Sequence, residues 1–317
     1  MTVLAADLGG TRIKLGVVRD GVLLAQGSCP ARARKGLARQ LPVLRSAWLD
    51  LLTQAGVGIG DCAGMALAFP SVVERGTGRI LDAYGKYRDA PGLDLAGWAK
   101  DAFGLPLAIE NDARMALLGE WRHGAGRGCD NVVMVTLGTG IGTAAVLEGR
   151  LIQGCHGQGG ILGGHMTVRH YGERCVCGNL GCAEAEASTV ALSGLAARLP
   201  SFDFSPLRKA ATLNYAIVFK LAAAGDPCAV ALRDHSLWVW GAMAVSLIHA
   251  YDPERLILGG GIMASADVVL PAVSDFVRRH AHTPWGQVQV MQGQLGDRAA
   301  LLAAEPLVRE RIRQGVP

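Results

Sequence analysis

Three cysteines and a histidine lie close together near the middle of the chain. Cys175, Cys177 and Cys182 fall within eight residues, and His165 stands ten positions before the first of them. Thiolate sulfurs and imidazole nitrogens are preferred ligands of Zn²⁺, and four protein ligands fill its tetrahedral shell. Because no position is then left for a metal-bound water, the sequence predicts a structural zinc site.

The sequence does not decide which histidine is the fourth ligand of this site. His165 is preferred, and His156 and His170 are the alternatives. Gly178 and Gly181 would let the short loop fold its sulfurs onto one point, because glycine reaches backbone angles that other residues avoid. An iron–sulfur cluster is disfavoured, since it normally takes four thiolates.

Three glycine-rich turns follow predicted strands and could bind phosphate. Such turns expose backbone N–H groups that form anion-binding nests, and threonine hydroxyls add donors. The expected nucleotide-binding residues are Asp7, Gly9, Gly10, Thr11 and Lys14 in the first turn, Gly138, Thr139 and Gly140 in the second, and Gly259, Gly260 and Gly261 in the third. None is a Walker A or dinucleotide motif. Asp7, at a strand end, is a candidate ligand for Mg²⁺.

The segment Glu110-Asn111-Asp112 lies between the first two turns, at the end of a predicted strand and the start of a helix. Helix capping alone would account for an Asn-Asp pair at the start of a helix. Beside bound ATP, however, Asp112 could act as general base towards an attacking alcohol, with Asn111 holding a neighbouring hydroxyl.

These residues require strands that end at the turns and helices between them. Strands are predicted at 3–6, 13–18, 22–26, 64–69, 107–109, 131–137, 143–147 and 255–258, and helices at 37–55, 112–123, 186–199, 206–224 and 227–251. The pattern of the first part recurs in the second. We therefore expect two α/β lobes with a cleft between them: residues 1–115 with a C-terminal helix at about 298–317, and residues 116–297 with the zinc loop.

Composition excludes several classes of protein. The net charge of +4 is spread along the chain without a basic stripe, which argues against nucleic-acid binding. No apolar run reaches membrane-spanning length and no signal peptide is recognisable, so we expect no membrane partner and a cytoplasmic location. The uneven clustering of the eight cysteines favours reduced thiols over disulfides.

The order of these motifs resembles that of the ROK family of sugar kinases and sugar-responsive repressors, from Val3 to about Ala304. The resemblance implies a two-lobed actin-like ATPase (hexokinase-type) fold, and an ATP-dependent hexose kinase with Asp112 as base, a structural Zn²⁺ and a homodimeric state. It also implies that Asn111, His165 and Glu184 contact the sugar, although Glu184 could instead orient the zinc loop. Repressors of the family carry an N-terminal DNA-binding module, for which the first turn, beginning at Asp7, leaves no room.

One departure from the family concerns the sugar. Kinases of this family usually have a glutamate just before the zinc-binding histidine, where this chain has Leu162 or, counted from the other side, Ile161. No aspartate or glutamate occurs at 149–172. A well-made charge-assisted hydrogen bond contributes roughly 1.5–3 kcal/mol, so plain glucokinase activity is in doubt. Gln158 is a possible neutral substitute, and Ser71 stands where many relatives have glycine.

Two functional hypotheses follow from the sequence. The first is a kinase that phosphorylates a hydroxyl, the 6-OH in particular, of a hexose or hexose derivative. The second is a sugar-sensing binding protein of the same fold without catalysis. Asp112 favours the first, since a binding protein has little need of a base beside phosphate-binding turns. The identity of the sugar, and whether ATP is the sole donor, stay open.

Overall fold

The computed structural model describes residues 1–74, 76–83 and 85–313. It contains two compact units. The first comprises Met1–Arg127, Gln153–Gly159 and the chain from Leu295 onwards, and the second comprises Gly128–Ile152 and Gly160–Gln294.

The first unit is built on a five-stranded sheet of order β3-β2-β1-β4-β5. Its strands are β1 Thr2–Leu8, β2 Arg12–Arg19, β3 Val22–Pro30, β4 Cys62–Phe69 and β5 Leu107–Asn111, and its helices are α1 Leu41–Ala55, α2 Leu95–Phe103, α3 Asp112–His123, α9 Ala299–Leu302 and α10 Ala304–Arg313. Strands β1, β4 and β5 run parallel, whereas β2 is antiparallel to β1 and β3. The carboxyl ends of β1, β4 and β5 therefore share one edge of the sheet.

The core of this unit lies between the sheet and α1. Six of the seven residues of β1 are buried, as expected of a central strand covered on both faces, whereas most residues of the edge strand β3 are exposed. Trp48 of α1 is fully buried, and its indole N–H donates to the carbonyl oxygen of Ala5 at 3.2 Å. Trp98 and Phe103 of α2 pack around the same indole.

The second unit repeats this strand order in its own sheet, which reads β10-β9-β6-β7-β8. Its strands are β6 Val132–Leu137, β7 Ile141–Leu147, β8 Arg150–Leu151, β9 Arg255–Gly259 and β10 Gln289–Gln292, and its helices are α4 Ala183–Ala187, α5 Leu192–Ala197, α6 Tyr215–Ala223, α7 Pro227–Tyr251 and α8 Ala266–His280. Strands β6, β7 and β8 correspond to β1, β2 and β3, and β9 and β10 correspond to β4 and β5. The prediction of two lobes of similar build agrees with this repeat.

Four details differ from the sequence-based expectations. Helix α1 begins at Leu41, four residues after the predicted start at 37. The first unit continues to Arg127 instead of ending near residue 115, because α3 follows β5 directly and packs against α9 of the same unit. The helix predicted at 186–199 is interrupted, because the amides of Thr189 and Val190 donate to the carbonyls of Gly138 and Thr139 instead of continuing the helix. The helix predicted at 206–224 is a short 3₁₀ turn followed by α6, which begins where Asn214 caps the amide of Ile217.

No single described helix is long and apolar enough to cross a membrane; α6 and α7 meet those criteria only as a pair, and they are bent by 120°.

Candidate functional site

Asp7 and Asp112 lie at the shared carboxyl edge of β1, β4 and β5. Asp7 is paired in register with Ala68 of β4, and Phe69 of the same strand is paired with Asn111, the last residue of β5. Asp112 is the first residue of α3. Ligands of open α/β sheets commonly bind outside the carboxyl ends of parallel strands. The topology thus brings these two sequence-predicted residues to one edge.

Asn111 caps α3 and also contacts Asp112. Its Oδ1 accepts hydrogen bonds from the amides of Ala113 and Arg114 at 3.0 and 3.2 Å. Its Nδ2 donates to the carbonyl oxygen of Ser71 and to Asp112 Oδ1, both at 3.1 Å. The capping function considered from sequence is present, and the same side chain orients the carboxylate beside it.

The carboxylate of Asp112 has the protonation behaviour expected of a general base. Oδ1 accepts from the amide of Ala113 at 2.8 Å. Burial, followed by the negative charge of Asp7, raises the pKa of Asp112 from 3.8 to about 6. A base is most effective when its pKa lies near the working pH, so Asp112 is ionised at neutral pH and still basic enough to take a proton.

Asp7 forms an ion-paired group with Lys14 and Asp297. Lys14 Nζ lies 3.2 Å from Asp7 Oδ2 and 2.9 Å from Asp297 Oδ1. Burial raises the pKa of Asp7, and the charge of Lys14 partly opposes this. Lys14 is therefore placed beside the first glycine turn, and Asp297 is an additional acid at this position that sequence reasoning did not identify.

The first turn leaves no room for side chains at Gly9. A Cβ atom built on Gly9 would lie 2.6 Å from the carbonyl oxygen of Arg12. Thr11 is exposed, and its own carbonyl oxygen accepts from the amide of Ala31 at 3.0 Å. The turn is thus closely packed at Gly9, whereas Thr11 is exposed to solvent.

The second and third turns lie together in the second unit. Thr136 of β6 is paired with Gly259 of β9, so Gly138–Gly140 and Gly259–Gly261 follow neighbouring parallel strands. Gly260 has a φ of +88°, and a Cβ atom there would collide with the carbonyl of Leu137. Glycine is therefore required where these two predicted phosphate-binding turns meet.

The four residues of the predicted zinc site converge in the second unit. The possible ligand atoms of His165, Cys175, Cys177 and Cys182 all lie within 4.8 Å of one another. His165 Nδ1 is 3.4 Å from Cys175 Sγ, and Cys177 Sγ is 3.7 Å from Cys182 Sγ. Among the described residues, neither of the alternative histidines joins this group.

These distances fit a tetrahedral zinc ion. With Zn–S bonds of about 2.3 Å, two thiolates of a tetrahedron are separated by about 3.8 Å, and a nitrogen and a thiolate by slightly less. Burial raises the pKa of Cys182 to about 12 and also raises that of Cys175. These thiols are therefore neutral without a cation, and binding of Zn²⁺ would release their protons.

The backbone around the site is determined by short hydrogen bonds and glycines. The amide of Gly178 donates to the carbonyl of Cys175 at 3.0 Å, and that of Cys175 donates to the carbonyl of Asn179 at 2.8 Å. Gly178 and Gly181 have φ values of +93° and +66°. A Cβ atom on Gly181 would collide with the carbonyl of Arg169.

Glu184 links the helix after the zinc loop to the second glycine turn. It belongs to α4, and its Oε2 accepts from the amide of Ile141 at 2.8 Å. Glu186 on the same helix is fully buried and accepts from the amide of Glu173 within the zinc loop. Glu184 thus has a positioning contact, while its contact with sugar stays a prediction.

A buried ion pair beside Asp112 was not recognised from sequence. Arg114 and Glu110 are 0% and 3% exposed, and Arg114 Nη1 lies 3.0 Å from Glu110 Oε1. Arg114 Nη2 donates to the carbonyls of Gly157 and Gly159 at 3.0 and 2.6 Å, and Glu110 Oε2 accepts from Gln153 Nε2 at 2.6 Å. The pair fixes the segment Gln153–Gly159 to the first unit. The i,i+4 spacing of the two charges was its one sequence signal.

The position of the missing glutamate is apolar in the structure. Ile161 is 8% exposed, and Leu162 precedes a 3₁₀ turn at Gly163–His165. Gly163 donates its amide to Thr143 Oγ1 at 2.8 Å, and Gly164 leaves no room for a side chain next to the carbonyl of Ile141. His165 is thereby held against β7.

Comparison with known proteins agrees with the motif order. A sequence model of the ROK family matches residues 3–311. The chain belongs to the ROK family. Among its relatives is a glucokinase of Thermotoga maritima, which is 30% identical over an alignment of 324 positions that covers 98% of each chain. Solved structures similar to this chain include a ROK hexokinase of Thermus thermophilus. It has 31% sequence identity and a TM-score of 0.80, and the match covers 99% of this chain and 100% of that chain.

A second ROK structure was determined with ligands. The glucokinase of Streptomyces griseus, in complex with glucose and AMPPNP, is 28% identical, with a TM-score of 0.79 over 98% of this chain and 100% of that chain. ROK sugar kinases have the actin-like ATPase fold, and this chain, which consists of two such α/β units, has that fold as well.

Proposed function

We propose that this ROK protein is an ATP-dependent hexose kinase that transfers the γ-phosphoryl group of ATP to a hydroxyl, the 6-OH, of a hexose or hexose derivative. Its full-length similarity to ROK glucokinases and hexokinases supports the sugar kinase assignment. The observation that carries the proposal is Asp112, whose oriented carboxylate has a pKa of about 6 at the carboxyl edge of β5.

In this reaction Asp112 acts as general base. The sugar oxygen forms a bond to the γ-phosphorus while the bond from that phosphorus to the β,γ-bridging oxygen breaks, and the hydroxyl proton passes to Asp112. ADP leaves with the bridging oxygen. Asn111 holds the Asp112 carboxylate through its Nδ2, so that the accepting oxygen is oriented before the sugar arrives.

The glycine turns supply the nucleotide contacts. In the first unit we assign Gly9, Gly10 and Thr11 to the phosphates, with Asp7 as the residue that would hold Mg²⁺. Magnesium, when bound, neutralises phosphate charge. In the second unit the assigned phosphate contacts are Gly138–Gly140 and Gly259–Gly261. The N–H-rich geometry of such turns is suited to anions.

The zinc site would order the part of the second unit that contacts the sugar. His165 uses Nδ1 towards the metal site, which leaves its Nε2 edge for a sugar hydroxyl. Glu184 is the second assigned sugar contact. Val176 in this loop is 88% exposed, so the loop lacks hydrophobic packing at that residue. A structural zinc ion would stabilise the loop in its place.

The apolar surroundings of Ile161 and Leu162 bear on the choice of sugar. A hydroxyl that relatives pair with a carboxylate would lose that partner here, and an unpaired buried hydroxyl is strongly rejected. The preferred hexose is therefore expected to lack this hydroxyl or to present it in another orientation.

The test is sugar-dependent release of ADP from zinc-loaded protein with Mg²⁺ and ATP. The sugars are glucose, mannose, fructose, allose, glucosamine and the N-acetyl amino sugars, with Asp112→Asn as the blank. Turnover of one sugar that is lost in the variant supports the proposal. Sugar binding by calorimetry without turnover on any of them would contradict it and favour a sugar sensor.

A further inference from the structure

Tyr87 adopts a strained backbone conformation next to the first glycine turn. Its φ is +51°, in the left-handed region that a bulky aromatic residue rarely occupies. The side chain is fully buried, its hydroxyl donates to the carbonyl of Gly9 at 2.8 Å, and its amide donates to the carbonyl of Ala33 at 2.9 Å. Strain of this kind persists when the surrounding contacts over-determine it, and it is frequent at functional sites.

The strained residue places the side chain of Lys86 over the turn. A Cβ atom built on Gly10 would lie 3.1 Å from Lys86 Cε and 3.5 Å from Lys86 Nζ. Lys86 is partly buried, and its amide donates to the carbonyl of Ala83 at 2.7 Å, whereas its side chain has no hydrogen bond or ion pair with another described residue. A lysine of a solvated loop would extend into water, whereas this ammonium is held against backbone that the kinase proposal assigns to phosphate.

Lys86 also influences Asp112, at the carboxyl edge of the sheet, through its charge. Its positive charge lowers the pKa of Asp112, against the larger effects of burial and of Asp7. The other charged groups at this edge are Lys14, which is paired with Asp7, and Asp297. Lys86 differs from Lys14 in having no carboxylate within ion-pair distance among the described residues.

We propose that Lys86 is a catalytic residue whose ammonium group contacts the terminal phosphate of ATP during transfer. The proposal rests on the kinase function proposed above. Phosphoryl transfer spreads negative charge over the phosphate oxygens and the leaving oxygen, and positioned cations stabilise this charge. Lys86 would supply a cation from the same unit as Asp112, so that the base and the phosphate-binding group belong to one compact unit.

The test compares K86M and K86R with wild type and with R88M, a matched control in which an exposed cation of the same segment is removed. With the preferred sugar, K86M should lose about a hundredfold in kcat, a typical effect of removing one transition-state donor. K86R should recover part of this loss, and R88M should stay within about threefold of wild type, as expected of a solvated charge.

A pH profile separates catalysis from a structural role. Because Lys86 lowers the pKa of Asp112, its loss in K86M should move the acid limb of kcat/KM to higher pH, and R88M should leave the limb in place. If wild type is active and K86M retains its kcat and acid limb, the role of Lys86 is refuted while the kinase assignment stands. If wild type is inactive with every sugar, both fail. K86Q, which keeps a polar side chain, serves if K86M does not fold.

Discussion

Replacing Asp112 by asparagine is expected to stabilise the fold while removing activity. The pKa of this carboxyl rises from 3.8 to about 6 on folding, and each pKa unit corresponds to about 1.36 kcal/mol. Keeping Asp112 ionised at pH 7 therefore costs the folded state up to about 3 kcal/mol. The side chain is partly exposed, so solvent screening reduces the gain expected for Asp112→Asn to about 1–2 kcal/mol.

The sign of the pH dependence follows from the raised pKa. The folded protein binds the Asp112 proton more tightly than the unfolded chain, so the destabilisation is fully present above pH 6. It is lost as the pH falls through about 6 towards 3.8. The advantage of Asp112→Asn over wild type should thus shrink between pH 7 and pH 5. Over the same interval, wild-type kcat/KM should fall about tenfold as Asp112 is protonated.

The assay is urea unfolding followed by circular dichroism at both pH values, together with ADP release. Asp94→Asn is the matched control. Asp94 caps α2 by accepting from the amide of Gly97 at 2.8 Å, and asparagine caps about as well as aspartate. The control should therefore change stability by less than about 0.5 kcal/mol. An Asp112→Asn variant that is no more stable than wild type at pH 7, or whose gain is independent of pH, would refute the reasoning.

Three further predictions concern the zinc loop and the buried ion pair. Cys177→Ser removes one of four ligands, so elemental analysis after dialysis should show zinc content falling from about one ion per chain, with a lower melting temperature; unchanged zinc content would contradict the site. Gly181→Ala should destabilise the loop by more than about 1 kcal/mol and weaken zinc binding, because its Cβ meets the carbonyl of Arg169, whereas Gly178→Ala, with open space around its Cβ, should bear only the backbone strain; equal effects in urea titrations would argue against the collision. Glu110→Gln should cost about 3–5 kcal/mol of unfolding free energy, since it removes the carboxylate that neutralises a fully buried guanidinium; a loss below about 1 kcal/mol would show that the pair is dispensable.

Local sequence signals predicted many of the elements well. The helices at 112–123 and 227–251 have the predicted bounds, because each begins at a capping residue, Asn111 or Asp226, whose side chain accepts from the first turn. The predicted strands are all present. Seven of the eight extend one to four residues beyond the predicted bounds, and β6 begins one residue later than predicted. Helix α2 and strands β8 and β10 were not predicted, since α2 and β8 are short and most of β10 is poorly buried.

Long-range contacts explain the differences. The break between α4 and α5 results from hydrogen bonds to the second glycine turn, about fifty residues earlier in the chain. The assignment of Gln153–Gly159 to the first unit depends on Arg114, roughly forty residues away. Neither contact leaves a periodic pattern in the segment that it alters, so local reasoning could not detect them.

The sequence by itself determined the chemistry available to this protein. Residue types and close spacing identified the three clustered cysteines, the glycine turns and the Asn-Asp pair, because each depends on neighbours within about ten residues. The order of these motifs along the whole chain then indicated the ROK family. The tertiary structure alone decided which histidine joins the cysteines and that Glu184 bonds to Ile141. It also decided that Asp112 has a pKa near 6 and that Lys86 lies over Gly10. These properties depend on burial and on charges brought together by parallel strands, which only the folded chain provides.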